Sequence, residues 1–126
     1  MTVFEFTQKL AREAGELIVD QRNNAQLTHQ YKNGQELVTN ADLLADKLII
    51  GSIKARYPGH HILSEESSPE AISIADLDAP LWIIDPIDGT VNYAHGHIQS
   101  AVSIAYVEAG KICHGVVFNP FTDKMF

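Results

Sequence analysis

Trp82-Ile83-Ile84-Asp85-Pro86-Ile87-Asp88-Gly89-Thr90-Val91-Asn92-Tyr93 decides how the rest of this chain is read. Leu81 to Asp85 is a short apolar run bounded by prolines, which reads as a buried strand delivering Asp85 at its carboxyl end. Pro86 fixes φ and helps the chain turn, so that Asp88 comes back beside Asp85. Two carboxylates so close repel unless a cation lies between them or one is protonated. Hard cations such as Mg²⁺ take carboxylate and carbonyl oxygens, and the carbonyl of Ile87, held in the turn, is a candidate third ligand. A helix starting at Gly89 and Thr90 would point N–H groups at an anion such as phosphate. Together these features describe metal-assisted phosphoryl chemistry. Asp-Pro-x-Asp-Gly is also a good turn sequence on conformational grounds alone, so its surroundings must decide.

The charge pattern around it is lopsided. The 126 residues carry 16 Asp and Glu against 9 Lys and Arg, a net charge of −7. Between Tyr57 and Gly110 there is no Lys or Arg, while Glu65, Glu66, Glu70, Asp76, Asp78, Asp85, Asp88 and Glu108 all fall there. The other segments are close to neutral, so the negative balance belongs to the region of the motif. Nucleic-acid binding by simple charge is excluded, because a phosphate-backbone binder needs a basic face. The same region is rich in Ile, Val and Trp, which a disordered acidic tail is not. It reads as a folded site that wants cations.

Outward from the motif the chain divides into helices and strands. Val3, Phe6, Leu10, Ala14, Leu17 and Ile18 recur at helical spacing through the first 22 residues, and Thr2 with Glu5 makes a capping-box start. Asn33-Gly34 signals a turn. A second helix is expected from Thr39 or Asn40, with Lys54 and Arg56 in its last turn and Pro58-Gly59 as its stop. His61 to Glu65 reads as a short strand and Ser67 to Pro80 as a polar loop. Ala101 to Val107 and Ile112 to Phe118 read as an antiparallel hairpin closed by Glu108-Ala109-Gly110-Lys111, and Lys124 to Phe126 begins another strand. Two helices followed by antiparallel strands give an α+β or layered αβ fold, the helices packed on a largely antiparallel sheet. The chain stops as a strand begins, so it is expected to be part of a larger domain.

Two further acidic segments lie upstream of the motif. Ile62-Leu63-Ser64-Glu65-Glu66 is a strand end, where only one of the two glutamates can face a given site. Leu37-Val38-Thr39-Asn40-Ala41-Asp42 places Asp42 three residues after Thr39, a helix-cap spacing that would also set Asp42 near metal-bound water.

In their order and spacing these segments resemble the inositol monophosphatase family: Leu-Val-Thr-x-x-Asp at 37–42, Leu-Ser-Glu-Glu at 63–66, the motif at 82–93, and Ala-Val-Ser-Ile at 101–104. The resemblance runs across essentially the whole chain. It implies that Glu65, Asp85 and Asp88, with the Ile87 carbonyl, bind catalytic Mg²⁺. It also implies that Asp42 and Thr90 help activate the attacking water, and that Asp88, Gly89 and Thr90 contact the substrate. Hydrolysis of a small phosphorylated polyol, most simply inositol 1-phosphate, follows without a covalent intermediate, together with Li⁺ sensitivity and a homodimer. Ser64 stands where the family usually has Gly, and Tyr93 where it often has Phe. Family members continue into a second half with another metal-binding Asp, so residues 1–126 read as the amino-terminal portion of one catalytic domain. Alone they are expected to bind Mg²⁺ weakly and to lack turnover.

Other readings rest on less. Related bisphosphate nucleotidases and sugar phosphatases compete for the substrate, and a non-catalytic partner of the transcription machinery is the non-enzyme alternative. An aspartyl-phosphate mechanism fails on spacing, because its two acids stand two apart and Asp85 and Asp88 stand three apart. His95 and His97 lack the convergent ligands of a zinc site. Lys32 reads as a solvated loop residue, His60-His61 as a surface strand start, and Cys113 as a small buried hydrophobe. The lone cysteine excludes a disulfide framework, no signal peptide or membrane span is visible, and a cytoplasmic protein is expected.

Overall fold

A computed structural model of the chain describes residues 1–24, 29–32, 36–66, 78–89 and 98–126. The elements run α1 (Val3–Asn24), β1 (His29–Lys32), β2 (Glu36–Thr39), α2 (Asn40–Arg56), β3 (His61–Ser64), β4 (Leu81–Asp88), β5 (Ala101–Glu108), β6 (Lys111–Asn119) and β7 (Lys124–Met125). The capping box forms as expected: the Thr2 amide donates to Glu5 Oε1 at 3.0 Å, and the Glu5 amide donates to Thr2 Oγ1 at 3.1 Å. β1 and β2 form an antiparallel hairpin around the Asn33-Gly34 region, which itself lies outside the described residues.

β3 to β7 form one five-stranded sheet in sequence order. β3 and β4 run parallel, and the remaining pairs are antiparallel. Ala109 and Gly110 at the β5–β6 turn both take positive φ, 51° and 77°, which matches the twist of a two-residue hairpin. α1 and α2 pack side by side on one face of this sheet, α2 over β4 and α1 over β5 and β6.

Small residues at the helix interface set the closeness of that layer. Ala11 and Ala14 on α1 and Ala41 and Ala45 on α2 are fully buried, with Leu10, Ile18, Ile49 and Ile53 filling the space between them. The sheet meets them with Trp82, Ile84 and Ile87 of β4, Val102, Ile104 and Tyr106 of β5, and Val116 and Phe118 of β6. Gly15 lets α1 approach β6: a Cβ there would lie 2.6 Å from the Phe118 ring. Among the described residues no helix is long and apolar enough to cross a membrane.

Two details differ from the sequence reading, the exposure of Cys113 and the end of β4. Cys113 is exposed rather than buried, because a register irregularity in the β5–β6 pair falls beside it and takes it out of the regular alternation. His60, half-buried before β3, stacks on Tyr57 at 4.7 Å between ring centroids, and its Nδ1 accepts the Trp82 indole N–H at 2.9 Å. β4 does not end at Asp85 but continues to Asp88.

Candidate functional site

The continuation of β4 explains how its acids come together. In a regular strand, residues three apart point to opposite faces. Here Asp85 pairs with Ser103 and Asp88 with Ala101, so three steps on β4 answer two on β5 and the register slips between them. The extra residue is a β-bulge, and it returns Asp88 to the face that Asp85 occupies. Pro86, which has no N–H to lose from the ladder, lies inside the bulge. Ile87 turns into the core, 2% exposed. A bulge therefore does what the sequence reading assigned to a turn.

Glu65 joins from the parallel neighbour. The Glu65 amide donates to the Ile84 carbonyl at 3.2 Å, which carries the β3–β4 pairing one residue past Ser64 and sets Glu65 beside Asp85. The Glu65 side chain hydrogen-bonds the Asp85 carboxyl. Burial foremost, then the hydrogen bond and charge of Glu65, and lastly the charges of Asp88 and Glu66, push the Asp85 carboxyl up to about 8. Of the two glutamates it is thus Glu65 that meets Asp85. The Glu66 amide instead donates to Ser64 Oγ at 3.2 Å.

Ser64 is fully buried and also donates its hydroxyl to Asp46 of α2. Asp46 was not singled out from the sequence. Its signal was an acid on the inward stripe Ala41, Asp42, Ala45, Asp46, Ile49 and Ile53, a position that an apolar residue should hold. Asp42 itself is fully buried in the first turn of α2. Gly89 follows β4 with φ +89°, and a Cβ there would meet the Gln99 carbonyl oxygen at 2.8 Å. Both facts require glycine. Thr90 and residues 91–97, including His95 and His97, lie outside the described residues, as does the side chain of Lys32.

Open space borders the acids on both sides. A trough of about 340 Å³ is lined by Leu63, Glu65, Ile83, Asp85, Ser103 and Ala105. A shallower hollow of about 450 Å³ is lined by Asp88, Gly89, Gln99, Ser100 and Asn119 among others. Only oxygen donors converge here, the chemistry of a hard-cation site. Among the described residues no three His, Cys, Asp or Glu side chains are grouped tightly enough to hold a metal ion. Glu65 is hydrogen-bonded to Asp85, and the charge of Asp88 also acts on Asp85. The donor types fit a hard cation, which these oxygens would hold in their ionised form.

A two-helix layer on a five-stranded sheet, with carboxylates gathered at a bulged strand end beside an obligatory glycine, defines an acidic catalytic-type site on an αβ scaffold. The model of the inositol monophosphatase family matches residues 1–126, and the chain belongs to that family. It is 38% identical over 122 residues to inositol monophosphatase 1 of Sus scrofa, covering 97% of this chain and 44% of that protein. An IMPase of Thermotoga maritima superposes with a TM-score of 0.85 at 34% identity, over 99% of this chain and 47% of its own. The extragenic suppressor protein suhB of Bartonella henselae gives 0.87 at 35% identity, over 98% of this chain and 47% of its own. The chain thus spans somewhat under half the length of these relatives and has the fold of their first half.

Proposed function

We propose that residues 1–126 form the amino-terminal portion of a single catalytic domain that hydrolyses a phosphate monoester of inositol. The observation that carries this reading is the β4 bulge, which turns Asp85 and Asp88 to one face, next to Glu65 and directly before Gly89. In this reading Glu65, Asp85, Asp88 and the Ile87 carbonyl oxygen hold Mg²⁺. When bound, the ion supplies positive charge against the phosphate and makes its water more acidic. A carboxylate would hold the ion only when ionised, so the raised pKa of Asp85 would make the affinity rise with pH.

The chain's own groups do the remaining work. Asp42 and Thr90 orient the attacking water and help to activate it. The backbone amides of Gly89 and Thr90 donate to the phosphate oxygens, and the left-handed Gly89 keeps a side chain out of their way. No carboxylate is needed as a nucleophile, so no phosphoenzyme forms. Inositol as the alcohol is supported by the names of the relatives, such as the pig protein.

The test is Mg²⁺-dependent phosphate release from inositol 1-phosphate by a polypeptide of family length carrying residues 1–126. Asp85→Asn is expected to lower kcat at least about 1,000-fold, the scale of losing a group that acts on transition-state charge. A fall of no more than about threefold would sink the assignment.

A further inference from the structure

Two polar side chains lie where apolar ones would pack at less cost. Asp46 is buried on the inward stripe of α2, and Ser64, the last residue of β3, is fully buried. Burying a carboxyl group is unfavourable unless hydrogen bonds compensate it, so the pair calls for a use. The Ser64 hydroxyl serves both sides of a junction. It donates to Asp46 Oδ1, and it accepts the Glu66 amide N–H at 3.2 Å. Glu65 is the residue that stands between those two bonds.

The end of β3 has reason to be tethered. The strand has four residues and pairs with β4 at the edge of the five-stranded sheet. Short edge elements are among the first parts of a fold to open. The Glu65 and Asp85 carboxyl groups also act on each other through charge, and two carboxylates in contact repel. That repulsion pushes the strand end away from β4. α2 packs over β4, so the Asp46–Ser64 bond reaches past that strand to its neighbour and holds it.

We propose that Asp46 and Ser64 are positioning residues: their bond pins the end of β3 to α2, which keeps Glu65 beside Asp85 and at a fixed spacing from Asp42, one helical turn before Asp46. The proposal rests on the phosphatase reading, in which Glu65 holds Mg²⁺ and Asp42 orients water. Groups that orient a metal ligand without touching the ion set the affinity for the ion, typically by about 10- to 100-fold. Ser64 stands where the family usually has Gly, which offers no hydroxyl, so the link is a feature of this chain.

The experiment measures amide hydrogen exchange in chelator and Mg²⁺ affinity by calorimetry, both in a polypeptide of family length carrying residues 1–126. Ser64→Ala and Asp46→Ala should each speed exchange of the Glu65 amide, which is bonded to the Ile84 carbonyl, at least about tenfold. The Ile104 amide in the middle of the sheet should keep its rate. Each variant should weaken Mg²⁺ binding at least about tenfold. The double variant should be no more than about threefold worse than the worse single one, because both remove the same link. Asp46→Asn keeps an oxygen acceptor for the Ser64 hydroxyl and should stay within about threefold of the parent. Ser64→Ala removes only a hydroxyl, so it decides the matter if Asp46→Ala does not fold. Glu65 exchange within about twofold of the parent would overturn the proposal, and so would faster exchange with unchanged Mg²⁺ affinity, the mark of a purely structural bond. A parent that binds no Mg²⁺ would overturn the phosphatase reading and this role with it. A parent that binds the ion while Ser64→Ala binds it equally well would overturn this role alone.

Discussion

The two faces of the sheet are built from the same strands to different ends. The face under α1 and α2 is packed: Trp82, Ile84, Val102 and Ile104 are 0–2% exposed and interlock with alanines and isoleucines of the helices. The opposite face is apolar but half-open, and carries at one end a carboxyl pair that repels itself unless it holds a proton or a cation. The first face provides the stability of the chain. The second costs stability, as candidate functional sites commonly do where they depart from the rules that stabilise a core.

The largest expected effect lies on the packed face. Trp82 touches Phe6, Tyr57 and Tyr106 with ring centroids 5.8, 5.9 and 4.8 Å away, and its indole N–H is held by His60. Trp82→Ala should destabilise the chain by about 3–5 kcal/mol, read as a fall in the urea midpoint. A loss under about 1 kcal/mol would mean that the helix layer does not depend on this cluster, and the contrast between the faces would fail.

Much of the packed face was legible in the sequence, because helical and alternating periodicities report burial directly. Leu10, Ala14 and Ile18 announced α1, and Ala109-Gly110 announced the hairpin. The site was legible as residue types, not as geometry. Asp85 and Asp88 pointed to paired acids, yet the device that pairs them is a bulge, and a bulge is a register relation with β5 that no local pattern carries. Asp46 escaped notice, and Ser64 showed only as a departure from Gly, because their meaning is a hydrogen bond between a helix and a strand 18 residues apart. Cys113 was misjudged because burial at an irregularity follows neighbours in space, not spacing in sequence.

A smaller effect, of opposite sign, is expected on the open face. Asp85 has a folded-state pKa of about 8 against 3.8 ordinarily. Between those values the folded state holds a proton that the unfolded chain has released, so stability falls as pH rises from about 4 to 8. Asp85→Asn imitates the protonated group and removes this loss. With chelator present at pH 8 it should stabilise the chain by about 1–3 kcal/mol, a figure kept below the full linkage value for solvent screening. Added Mg²⁺ should raise the melting temperature of the parent and leave that of Asp85→Asn unmoved. A destabilised Asp85→Asn in chelator would show that the carboxyl pair is not strained, and the distinction between the faces would lose its energetic basis.

The smallest effect comes from the rim of the packed face and runs against that of Asp85. Burial foremost lowers the pKa of His60 below 6.5, and the Glu108 charge only partly opposes it. Geometry agrees, since Nδ1 accepts the Trp82 N–H and cannot be protonated without breaking that bond. Below pH 6.5 the unfolded chain therefore takes up a proton that the folded chain resists, and stability present above 6.5 is lost as pH falls toward the folded value. His114 is lowered by burial as well, so it adds in the same direction. Asp85 gains stability over this window and would mask the effect, so the measurement belongs in the Asp85→Asn background. There the melting temperature should drop from pH 7.5 to 5.5 by an amount equivalent to less than about 1 kcal/mol. Adding His60→Gln, which keeps an oxygen acceptor for the indole, should remove part of that drop. If the drop is unchanged by His60→Gln, the acid sensitivity of the packed face has its source elsewhere, and His60 is no part of the difference between the faces.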